Sequence, residues 1–74
     1  MHDPRQHYAA ANRHIVKGIC RLADQRARCE TLRFAGYPVE DAERLVWLLE
    51  KTLENMRHHL KILESEIAEW SRFP

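Results

Sequence analysis

From Ala42 to Trp70 the chain places apolar side chains in alternating steps of four and three, and this pattern leaves little freedom in how it can fold. Ala42, Val46, Leu49, Leu53, Met56, Leu60, Leu63, Ile67 and Trp70 follow one another without a polar interruption. Four-three spacing puts all nine on one stripe of an α-helix, and over about four heptads such a stripe is a coiled-coil-like seam. Apolar surface of that length is costly to leave in water, so a second helix must lie along it.

The upstream half supplies that helix. Asp3 is a helix-capping residue, Pro4 suits the first helical position, and Gln6 stands three residues after Asp3 as in a capping box. Small or apolar residues then recur at Tyr8, Ala11, Ile15, Gly18, Leu22, Cys29 and Leu32, with Gln25 as the polar exception. The spacing predicts a helix over 4–34, ended by Gly36 in a left-handed conformation. Pro38 pushes Tyr37 out of the α region and is expected to open the second helix. Glu40, Asp41 and Glu43 then put negative charge at its positive end, and the helix is expected over 38–71. So short a connection permits only antiparallel neighbours. The expected fold class is all-α, a two-helix antiparallel hairpin making one domain over 1–74.

Charge is divided between the two helices. Residues 3–35 carry seven Lys/Arg against three Asp/Glu, and residues 36–74 carry five against eight. In an antiparallel register Arg33 faces Glu43 and Arg26 faces Glu50, so the charges specify how the helices pair. Gly18 and Gln25 occupy seam positions. Gly lets the helices approach closely, and a buried polar Gln can fix register by hydrogen bonding.

A hairpin buries one stripe per helix, and several apolar residues fall outside the stripes. Val16 and Ile19 in the first helix and Leu45, Trp47 and Leu48 in the second are expected at a dimer interface. There two hairpins would make a four-helix bundle, a homodimer. Dimer burial is the simpler account of Trp47, Leu48 and Trp70, with another protein as the alternative partner.

Chemistry-bearing constellations are sparse. His14, His58 and His59 are the candidates for a metal site, because folding about Gly36 brings position 14 opposite roughly position 59 and three imidazoles can hold Zn²⁺. His58 and His59 are adjacent, however, and point to different sides of a helix. The sequence has no Glu-x-x-His for a di-iron site and no Cys-x-x-Cys-His for haem. Met56 with His59 three residues on could be drawn as axial ligands, but a Met in a seam fills space. Cys20 and Cys29 lie about 13 Å apart along one helix, too far for an internal disulfide, and both are expected as reduced, buried thiols. No cofactor and no enzymatic activity are expected. Arg13, Lys17, Arg21 and Arg28, with Tyr8 and His14 near them, form the candidate nucleic-acid face of the first helix. Hairpin dimers of the Rop type, which bind RNA through a helix face, give that reading a precedent.

Gly18, Gln25 and Leu32, the turn at Gly36, and Ala42, Leu45 and Leu49 give the stretch 13–67 its likeness. It resembles a group of short helical-hairpin proteins of proteobacteria. That resemblance implies the hairpin fold and carries no activity or site. No segment is apolar enough for a membrane span, and the first residues lack the basic and apolar regions of a secretory signal. The expectation is a cytoplasmic interaction or scaffold module that pairs with itself.

Overall fold

A computed structural model describes residues 3–72. Two α-helices of 31 residues each, α1 (Pro4–Phe34) and α2 (Glu40–Trp70), pack antiparallel as a rod 61 × 16 × 15 Å. Each helix is about 46 Å long at 1.5 Å per residue, so the hairpin is one layer of two helices running nearly its full length.

Helix α1 begins as its sequence predicts. The Asp3 carboxylate accepts the Arg5 backbone N–H at 2.9 Å, and Pro4 occupies the first helical position, where a missing N–H costs nothing. Its end is a Schellman motif. Tyr37 N–H donates to the Leu32 carbonyl at 2.9 Å and Gly36 N–H to that of Arg33 at 3.1 Å, with Gly36 at φ 80°.

The start of α2 differs from expectation. The helix begins at Glu40, two residues after Pro38, and ends at Trp70. Val39, at φ −115° and ψ −2°, is the capping residue, and its carbonyl accepts the Glu43 N–H at 2.8 Å. Proline's demand on the preceding residue makes the chain turn before the helix instead of opening it. Val39 has no side chain that can cap, so Glu40, Asp41 and Glu43 supply the favourable charge in the first turn.

The seam packs as the repeat requires. Ile15, Leu22, Leu53, Leu63 and Cys29 are buried, and Val46, Leu49, Met56 and Leu60 pack half-buried against Ile15, Leu22 and Leu53. A Cβ on Gly18 would lie 2.8 Å from Leu53 Cδ2, so the missing side chain is what lets α1 approach α2 there. Gln25 is part-buried and its Nε2 donates to the Ala42 carbonyl at 3.3 Å, bridging the helices near the turn. Trp70 closes the repeat but stays 43% exposed. It lies opposite the first turn of α1, where Pro4 is the only apolar side chain on offer.

Two flanks and a candidate interaction surface

Antiparallel packing gives the hairpin two long flanks of different character. On one, Arg33 bridges to Glu43 at 3.0 Å, Arg26 to Glu50 at 3.5 Å, and the Tyr8 hydroxyl donates to Glu64 at 3.5 Å. This is the paired flank. Its charges cross from α1 to α2 as the register predicts. They are exposed, so each pair contributes at most about 1 kcal/mol and chiefly fixes alignment. An open groove of about 340 Å³ lies here, lined by these two ion pairs, Cys29 and Trp47. The Lys51 ammonium stands 5.7 Å from the Trp47 ring centre.

The opposite, basic flank has another composition. His14, Lys17 and Arg21 of α1 surround a small recess over Gly18 with Thr52 of α2, and Arg28 lines a second recess with Leu45 and Pro38. Among the described residues, Arg13, Lys17, Arg21 and Arg28 enter no ion pair. Arg13 sits further round the back of α1 beside Val16 and Lys17. Tyr8 leaves this group, because its hydroxyl turns to Glu64 on the paired flank.

The five residues expected at a dimer interface are all exposed, but the structure does not gather them on one face. Trp47 lines the paired flank, Ile19 lies two turns from Arg26 on the same side, and Val16 lies on the back of α1 with Arg13 and Lys17. Leu45 and Leu48 lie on the basic flank, where Ile62 follows two heptads after Leu48. At the turn, Phe34 and Tyr37 are exposed too, Phe34 at 96%.

No family model, no curated protein and no solved structure matches the chain.

Other candidate residues separate. His14, His58 and His59 are exposed, and no group of three His, Cys, Asp or Glu that could hold a metal ion comes together among the described residues. His2 lies outside the described residues. Both cysteines are free thiols, but only Cys29 is buried. Cys20 is exposed because it falls two residues before Leu22, on the far side of α1 from the seam. No helix is long and apolar enough to cross a membrane. Sequence reasoning missed the division into two flanks because it grouped the residues outside the seam by their apolar character, although the antiparallel register and the helical step already separate them.

Proposed function

We propose that the chain is a self-associating helical module with no chemistry of its own, working in the cytoplasm as an interaction or scaffold element. One observation carries this reading. The hairpin exposes 6116 Å², against about 4,800 Å² for a compact monomer of its 8.8 kDa mass. Val16, Ile19, Leu45, Trp47, Leu48 and Ile62 contribute to the excess, and a standard interface buries about 1,200–2,000 Å² in total. A second copy would remove that surface from water, and the smallest product is a homodimer of four helices. Light scattering across a concentration series tests the proposal. A mass of two copies or more supports it, and a well-folded species of one copy at every concentration contradicts it.

The unpaired cations Arg13, Lys17, Arg21 and Arg28 favour a second reading, a nucleic-acid-binding bundle. Cations without internal partners are free to displace counterions from phosphates. Gel shift with random RNA and DNA at low salt checks this. Binding that weakens steeply with salt and is lost in Lys17→Glu/Arg21→Glu supports it; no retardation at low salt removes it.

A further inference from the structure

The two flanks use their cations differently. On the paired flank Arg26 and Arg33 of α1 are bonded to Glu50 and Glu43 of α2, so those charges are met within the hairpin. On the basic flank α2 sets Leu49, Thr52 and Met56 around the recess over Gly18 and no carboxylate, so His14, Lys17 and Arg21 meet no opposite charge there. Lys17 and Arg21 stand four residues apart, where helical side chains are neighbours and like charges weaken the helix. Asp24, three residues beyond Arg21, does not line the recess and enters no ion pair among the described residues. The charge that would compensate this row has to come from outside the chain.

The recess has a floor as well as a cationic rim. A Cβ on Gly18 would stand 2.8 Å from Leu53 Cδ2 and 3.9 Å from Met56 Sδ, so the glycine leaves the floor open, with Leu49 beside it. The space is about 100 Å³, against about 300–1,000 Å³ for sites that enclose a drug-sized molecule. It takes one small group and leaves the rest of a ligand outside. The Thr52 hydroxyl donates to the Leu48 carbonyl at 2.9 Å, so the donors around the recess come from α1. They are the His14 ring N–H, the Lys17 ammonium and the Arg21 guanidinium.

We propose that this recess binds the phosphoryl group of a small phosphate monoester. Near neutral pH such a group carries about −1.5 to −2 charge on three terminal oxygens. The guanidinium can take two of them and the ammonium the third, in charge-assisted hydrogen bonds. A phosphodiester brings one charge and two free oxygens, so the row favours a monoester over a nucleic-acid backbone. Leu49 and Met56 suit a ligand whose body beside the phosphate is apolar or aromatic. This goes beyond the self-association proposed above, and it shares Lys17 and Arg21 with the nucleic-acid reading, from which its test separates it.

Amide NMR titrations of the full chain at constant ionic strength, with phenyl phosphate, inorganic phosphate and an oligonucleotide lacking terminal phosphates, test the proposal. Phenyl phosphate should give saturable shifts centred on Lys17, Gly18 and Arg21, and should bind more tightly than inorganic phosphate. Lys17→Gln/Arg21→Gln should weaken that binding roughly tenfold. Arg26→Gln/Arg33→Gln removes the same charge from the paired flank and should leave it unchanged. All four positions are exposed, and helical circular dichroism verifies that each variant folds. Shifts that do not saturate, or equal weakening by the two variants, overturn the site by reducing it to diffuse attraction. Inorganic phosphate binding at least as tightly overturns the monoester as ligand. An oligonucleotide that binds the same amides more tightly overturns it by giving the flank to nucleic acid. Each of these failures leaves self-association standing, since light scattering measures that separately.

Discussion

Gly18 shows how one residue sets the distance between two helices. A methyl group there would press on Leu53, which is only 3% exposed and cannot swing aside into solvent. Overpacking of this kind costs about 1–3 kcal/mol, and replacing a mid-helix glycine by alanine returns up to about 1 kcal/mol. We therefore expect Gly18→Ala to lower stability by about 1 kcal/mol and Gly18→Val by more, measured by urea unfolding. Gln25 acts differently. Its bond to the Ala42 carbonyl joins the helices at one level only, so Gln25→Leu should change stability by about 1 kcal/mol or less. The change should also loosen register, seen as a broader distribution of assembled species in sedimentation; an unaltered distribution would speak against a register role. Both residues were legible in the sequence as breaks in an apolar stripe. The expectation of two buried thiols fails at Cys20, which lies off the stripe that Cys29 joins.

Helix α2 is held by its seam rather than by its ends. Val39 gives no side-chain cap, while Leu53 and Leu63 are nearly inaccessible. Leu53→Ala should accordingly cost about 2–5 kcal/mol, whereas Phe34→Ser at the turn should stay within about 0.5 kcal/mol, both read from denaturant midpoints. Equal losses would mean that the seam does not dominate. The bounds of α1 could be read closely, because Asp3-Pro4 and Gly36 act through local backbone chemistry. Those of α2 were displaced because Pro38 serves two roles in sequence, helix opener or turn former, and Tyr37 settles the choice only in three dimensions. Trp70 illustrates the same limit. Its place in the repeat was evident, but its cover depends on where the other helix begins.

The whole molecule is a rod with one apolar seam inside and apolar residues on both outer flanks. The inner ion pairs were legible because antiparallel folding about a short turn fixes which residues meet. The same register also separates Ile19 and Trp47 from Leu45 and Leu48, which the sequence expectation places at one interface. That separation bears on assembly, because large apolar side chains are exposed on both flanks. The surface left exposed exceeds that of a compact chain of this size, and the proposed self-association rests on that excess. Average mass measured by sedimentation equilibrium over a hundredfold concentration range tests this most directly. We predict a mass that reaches at least twice 8.8 kDa; a folded species fixed at 8.8 kDa over the whole range would contradict it.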